Sequence, residues 1–332
     1  MRLALVLLMA CALARATTAI SRAEDFYRGK TINFVVGFGA GAGMDTTART
    51  IARHLPRFIP GAPNVLVQQM EGAAGLIAAN YISHRVAPDG LTIAAPGRSF
   101  FIEPMVGTAS AQFDPVQLGY VGGTGAQNTI LWASAASGAR DYKGLLAARE
   151  PLALGALGTG TPGAIVAALL AESGARIRIV TGYTSAARLI IALAQGELQS
   201  VFLSEDSFAT QREVIDNKIA LPVLQSKPVI PGVQLIGDVL PAARRRTLDL
   251  AQAGESLGLI IITPPGLPRE RLDVLRKAFM EMSGDAAYQA DIAKFDRGRM
   301  PALSGGAVAA YIADLARTTS PAAIEDFNRL RH

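Results

Sequence analysis

One plan of chain occurs twice in this sequence: an apolar β-type run, a glycine loop, a helical pattern and a further strand. The first copy reads INFVVGFGAGAGMDTTAR from Ile32 to Arg49, with glycines at Gly37, Gly39, Gly41 and Gly43. The second places Gly158-Thr159-Gly160-Thr161-Pro162-Gly163 between the run Leu152–Ala156 and a helical pattern over Ala164–Ser173. Strands that alternate with helices in this way build a mostly parallel sheet with helices on its faces. Two such series predict an α/β fold with two similar lobes.

The first series gives strands at Ile32–Val36, Asn64–Gln68 and Leu91–Ala95, with helices from Asp45 to about Phe58 and from about Gly75 to Val86. Asp45, followed by Thr46-Thr47-Ala48, has the chemistry of a helix N-cap. The second series gives strands at Ile130–Ala133, Leu152–Ala156, Arg176–Val180, Ser200–Leu203 and Ala220–Leu224, with a further helix over Ala186–Gln195. A Pro-rich stretch after Gln225 leads to a strand at Leu257–Thr263 and helices over Arg269–Met282, Ala286–Phe295 and Gly305–Arg317. This tail has no glycine loop of its own and is expected to pack back on the first lobe.

The N-terminus reads MRLALVLLMACALARATTAISRAED, with one early arginine, an apolar run from Leu3 to Ala14 and small residues after it. That is the layout of a secretory signal peptide over residues 1–23, too short in its apolar part for an ordinary membrane span. Leu8-Met9-Ala10-Cys11 resembles a lipoprotein cleavage box, so anchoring at Cys11 stands as the minor alternative to a soluble periplasmic product. Loss of Arg2, Arg15 and Arg22 with the leader lowers the formal charge from +5 to +2. Lysines and arginines are scattered apart from Arg244-Arg245-Arg246, with no basic stripe that interleaves aromatics, so nucleic acid is not expected as a partner.

Glycine loops between a strand and a helix let backbone N–H groups approach an anion. A dinucleotide site also needs an acidic residue at the end of the next strand, where this chain has Gln68-Gln69 and Thr181-Gly182. Gly29-Lys30-Thr31 imitates the end of a P-loop, yet a strand follows it rather than a helix. No cofactor and no metal are therefore expected. His54 and His84 fall in helical patterns and His332 is terminal, without metal spacing or a nucleophile partner. The neighbours Glu205-Asp206 are either a ligand contact at the rim of the second lobe or a solvated loop. Tight turns without a ligand remain the plain alternative for either glycine loop taken alone.

Further motifs stand in a definite order. Tyr27-Arg28-Gly29-Lys30-Thr31-Ile32 leads into Gly37-Phe38-Gly39-Ala40-Gly41-Ala42-Gly43-Met44-Asp45, and Gln69-Met70-Glu71-Gly72-Ala73-Ala74-Gly75 and Val86-Ala87-Pro88-Asp89-Gly90-Leu91-Thr92 follow. Then come Gly158-Thr159-Gly160-Thr161-Pro162, Val180-Thr181-Gly182-Tyr183-Thr184-Ser185, Gln195-Gly196-Glu197-Leu198-Gln199 and Pro264-Pro265-Gly266-Leu267-Pro268. In order and spacing the chain resembles the solute receptors of tripartite tricarboxylate transporters, the Bug-type periplasmic binding proteins, over essentially the whole mature length.

The resemblance implies a two-lobed, type II-like periplasmic binding fold with its cleft between the lobes. Lobe 1 would hold residues 24–126 plus 227–332, and lobe 2 residues 127–226. It implies a monomeric receptor, not an enzyme, that closes on a small carboxylate: a di- or tricarboxylate, an acidic amino acid or a related metabolite. The membrane subunits of the transporter would be its partners. Presentation of the ligand to a sensor kinase, or a secreted enzyme, are the other functions left open. Carried across by position, Phe38, Gly39, Ala40 and Gly41 would frame one jaw, with Ser99 at the next strand end. Gly158, Thr159, Gly160 and Thr161 would form the other, with Tyr183 nearby, and Asp45 would be a structural cap. Arg98 is the one cation read as able to join the site, with a surface position as the alternative. The chain departs from the family pattern where Gly37, Gly39 and Ala40 replace prolines, where Glu71 replaces a proline, and where Gly182 shifts Tyr183 by one place.

Overall fold

The computed structural model describes residues 26–39, 43–208, 211–294 and 301–331. The expected leader with Cys11, and Ala40 and Gly41 of the first glycine loop, lie outside the described residues.

Strand β1 (Thr31–Val36) shows why the first sheet is a central layer. Side chains alternate across a strand, and Ile32, Phe34 and Val36 enter one buried cluster while Val35 enters another. Both faces are covered. Around β1 stand β2 (Asn64–Gln69), β3 (Thr92–Ala95), β4 (Gly119–Gly123), β11 (Ile260–Thr263) and β12 (Leu303–Ser304), in the order β12-β4-β11-β3-β1-β2. The second sheet takes β5 (Thr129–Ser134), β6 (Leu152–Gly155), β7 (Ile177–Val180), β8 (Ser200–Ser204), β9 (Ala220–Gln225) and β10 (Gln234–Leu235), in the order β10-β9-β5-β8-β6-β7. Its β10 pairs with β9 and carries this sheet beyond the boundary expected at residue 226.

Both sheets are mixed. Parallel neighbours join β1 to β2 and β3, and β6 to β7 and β8. Strands β11 and β5, which the chain delivers on crossing from one sheet to the other, run antiparallel to the strands on either side of them. The crossing segments are tied together: Thr124 N donates to Leu259 O at 3.0 Å, Leu259 N to Thr124 Oγ1 at 2.8 Å, and Gln127 N to Glu255 O at 2.9 Å. Gly258 makes this approach possible. Its φ is +70°, and a Cβ there would stand 2.3 Å from Gly125 O.

Nine helices of eight or more residues flank the sheets among the described residues: α1 (Gly43–His54), α2 (Leu76–His84), α3 (Pro162–Glu172), α4 (Ala186–Ala194), α5 (Arg245–Leu257), α6 (Arg269–Gly284), α7 (Ala286–Ala293), α8 (Gly305–Thr318) and α9 (Pro321–Arg331). Helices α6 and α8 cover β4 and α7 lies on α1, so this part of the tail packs on the first sheet. Helices α5 and α9 are absent from the sequence reading. They pack on α3, and one apolar core runs from Val35 and Ile262 through Leu248 and Phe327 to Leu170. None of the described helices is long and apolar enough to cross a membrane.

Candidate functional site

Parallel strands bring their carboxyl ends to one edge of a sheet, so β1, β2 and β3 deliver three loops to the same place. Gly37 N donates to Ala95 O at 3.0 Å and Met70 N to Val36 O at 2.8 Å. The loops then press together closely enough that side chains are excluded. A Cβ on Gly37 would stand 2.1 Å from Pro96 O, and one on Gly75 would stand 2.0 Å from the same oxygen. Four residues in a row, Gly72, Ala73, Ala74 and Gly75, have positive φ. Alanine enters that region at a cost of roughly 1–2 kcal/mol, so Ala73 and Ala74 mark a loop whose shape is imposed by its neighbours.

Phe38 is half-buried and packs on the core beneath, and Gly39 follows at the edge of the described loop. Asp45 is placed differently from the expected cap. Helix α1 begins at Gly43, so Asp45 lies in its first turn. Its buried carboxylate accepts from Arg49 Nε at 2.9 Å and from Gln69 Nε2 at 3.2 Å, which ties α1 to the end of β2.

Ser99 lies against α5: a Cβ on Gly254 would meet Ser99 Oγ at 2.5 Å and Arg98 O at 2.8 Å. The next residue of α5 is Glu255, 7% exposed, whose Oε2 has no hydrogen-bond partner among the described residues; Arg98 Nε is also buried without one among them. Burial pushes the Glu255 carboxyl above its ordinary value, with the charges of Arg98 and Lys227 opposing the shift. The folded chain therefore holds this proton more tightly than the unfolded chain, and stability falls as pH rises above the ordinary glutamate range. Glu255→Gln should raise the melting temperature at neutral pH. The gain should shrink as pH falls through the ordinary glutamate range and vanish at about pH 3, where glutamate is protonated in both states; thermal unfolding at neutral and at acid pH checks it.

The second loop leads from β6 into α3. Helix α3 is apolar nearly all round, as suits a helix buried between layers. Thr161 occupies its N-cap position, and its hydroxyl donates back to Gly158 O at 2.7 Å. Thr159 Oγ1 donates to Arg331 O at 2.8 Å. Both hydroxyls are thus engaged within the protein, as is the Thr161 amide, which donates to Gly158 O at 3.2 Å; the other loop amides and those of the first turn after Pro162 are left as anion donors. Gly158 and Gly160 have no backbone strain and stand in open space, except that Arg331 Nε lies 3.6 Å from the position of a Cβ on Gly160. Tyr183 donates its hydroxyl to Glu197 Oε1 at 2.6 Å within the second lobe, a bond that pushes the phenol up to about 12.

Arg331, at the end of α9, is a residue that the sequence reading missed. Its Nη2 pairs with Glu103 Oε2 at 3.0 Å and its Nη1 donates to Thr108 Oγ1 at 3.4 Å, so it links the segment after Ser99 to the second glycine loop. Asn328 Nδ2 donates to Val106 O at 2.9 Å beside it. Farther along α9, Asp326 and Arg329 join Glu172 and Arg244 in a charge network that holds the helix on α3 and α5. Of the other groups named from the sequence, His332 lies outside the described residues, and Glu205, His54 and His84 have partners within the protein. Glu205 pairs with Arg212 at 3.0 Å, His54 Nε2 meets Asp291 Oδ2 at 2.9 Å, and His84 Nε2 meets Gln112 O at 2.5 Å. Among the described residues no cluster of His, Cys, Asp and Glu could hold a metal ion.

Two α/β units, exchanging chain through tied crossing segments and each carrying glycine loops at the carboxyl ends of parallel strands, give the two-lobed α/β fold of the periplasmic binding protein class. The family model of the tripartite tricarboxylate transporter family receptor, TctC, matches residues 47–321. The chain belongs to that family. A ligand-free TctC solute binding protein from Polaromonas has a TM-score of 0.67 at 19% identity, covering 91% of this chain and 99% of its own. MatC of Rhodopseudomonas palustris with bound malate has a TM-score of 0.60 at 16% identity, with 91% and 99% covered. A further R. palustris protein, solved with adipate, has a TM-score of 0.65 at 17% identity, with 91% and 97% covered. At these identities the likeness is one of fold. Among curated proteins no match is found.

Proposed function

We propose that this chain is an exported receptor that captures a small carboxylate between its two lobes and passes it to a tripartite tricarboxylate-type permease. The reading is supported by the convergence of three strand-end loops on Pro96 in the first lobe and by the loop that opens α3 in the second, two places where main-chain amides can face a ligand. In this reading Phe38, Gly39, Ala40, Gly41 and Ser99 belong to one jaw, and Gly158, Thr159, Gly160, Thr161 and Tyr183 to the other. Lobe 1 is formed by residues 24–126 with the tail, and lobe 2 starts at 127 and extends through β10.

A carboxylate entering a closed cleft gives up its hydration, and the site must replace those bonds. Hydrogen bonds to a charged acceptor contribute about 1.5–3 kcal/mol each. A helix N-terminus adds roughly 0.3–1 kcal/mol, up to about 2 when partly buried. Three or four amides and the α3 terminus together support micromolar affinity, about 8 kcal/mol, after the cost of association. Each lobe holds part of the donor set, so the ligand favours the closed form, where both parts engage it. The permease would then recognise the closed form. The protein captures rather than converts, and acts as a periplasmic monomer.

Titration calorimetry of the mature protein against a panel of small carboxylates tests the proposal. Micromolar binding of one acid, recovered unchanged, is the expected result. Silence across the panel, or turnover of the bound acid, would contradict it.

A further inference from the structure

The first jaw carries a charge that a receptor for a plain anion would be better without. Glu71 follows β2 in the segment that also holds Gly75 against Pro96 O. Its Oε2 lies 2.8 Å from the position of a Cβ on Gly39, so the carboxylate rests over the glycine loop, and a side chain at position 39 would strike it. The residue is exposed, and it has no hydrogen bond or ion pair with any described residue. The second jaw differs. Arg331 Nε lies 3.6 Å from the Cβ position of Gly160, and its guanidinium is already neutralised by Glu103 at 3.0 Å, so the loop before α3 offers an anion its backbone amides and no opposing carboxylate of its own. The two loop sets thus differ in charge: an exposed carboxylate on the side of Gly39, and main-chain amides beside a neutralised arginine on the side of Gly160.

Like charges brought together in a closing, water-poor cleft repel more strongly than they do in bulk water, and opposite charges attract more strongly. A carboxylate fixed at the rim therefore acts twice. It holds a ligand that presents a protonated amine there, and it rejects one that presents only anionic groups. We propose that Glu71 is a specificity-determining residue that takes the ammonium of an amino-carboxylate, whose own carboxylate goes to the loop before α3. The inference rests on the reading of this cleft as a carboxylate site, and it narrows that class to zwitterionic amino acids.

Calorimetry at neutral pH tests it with matched pairs: glutamate against glutarate, aspartate against succinate, and alanine against propionate. The wild-type chain should bind the amino acid of at least one pair at least tenfold more tightly than its amine-free counterpart, a difference of about 1.4 kcal/mol. Glu71→Gln should erase that preference, and Glu71→Lys should reverse it. Because Glu71 is exposed and pairs with no described residue, both variants should melt with the wild type. A wild-type preference for the amine-free acids, or a preference that survives in both variants, overturns the assignment while leaving a carboxylate receptor in place. Failure of every acid to bind any of the three proteins would remove the carboxylate reading and this inference with it.

Discussion

Gly75→Ala should lower the stability of the protein by about 2–5 kcal/mol and weaken ligand binding at least tenfold. Two separate costs meet at this position. Gly75 has a φ of +93°, where a Cβ costs roughly 1–2 kcal/mol. The added methyl would also stand 2.0 Å from Pro96 O and 2.6 Å from Pro96 C, atoms of the backbone that cannot rotate away. Overpacking of this kind typically adds about 1–3 kcal/mol. The loops after β1 and β3 share that contact, since Gly37 packs on the same carbonyl. Relief of the clash must therefore move the first jaw. Gly29→Ala is the control: φ is +68° there, but nothing lies within 4 Å of the new methyl. It should carry the backbone cost alone and leave binding intact. Denaturant unfolding and calorimetry of the two variants separate these effects.

Gly160→Asp should leave the fold intact and abolish binding, a loss of at least a hundredfold. The space is available, because the nearest atoms to a Cβ at Gly160 are side-chain atoms of Arg331 at 3.6–3.9 Å, and no positive φ is required. A surface change of this sort usually alters stability by less than about 0.5 kcal/mol. The new carboxylate would enter the field of the α3 N-terminus and occupy the donors offered to the ligand. Gly160→Ala adds the same methyl without the charge and should bind within a few-fold of the wild type. If both variants bind like the wild type, the second jaw has been placed wrongly.

How much of this was legible in the sequence depends on the kind of contact. Alternation in TINFVV and the small-residue loops after it located β1 and its turn, because local periodicity reports burial on each face. Strand direction was not legible. Nothing within residues 260–263 or 129–134 states that β11 and β5 run against their neighbours; that follows from the crossing of the chain between sheets. Helix α5 escaped notice because Thr247, Gly254 and Glu255 are buried among its leucines and alanines and break the apolar pattern. Helix α9 was legible in principle from Ala323, Ile324, Phe327 and Leu330, spaced as one helical face. Its consequence was not, since Arg331 reaches Thr159 across 172 positions of sequence. The orientation of Glu71 over Gly39 likewise depends on two strands lying in register, Val36 opposite Gln69.

The central claim is that main-chain donors from both lobes grip one carboxylate, and a crystal structure of the protein with the acid that copurifies with it tests this most directly. The account predicts carboxylate oxygens within about 3 Å of backbone nitrogens from the loop after β1 and also from the loop before α3. An acid held by one lobe alone, or seated against α5 and α9 away from both loops, would contradict it.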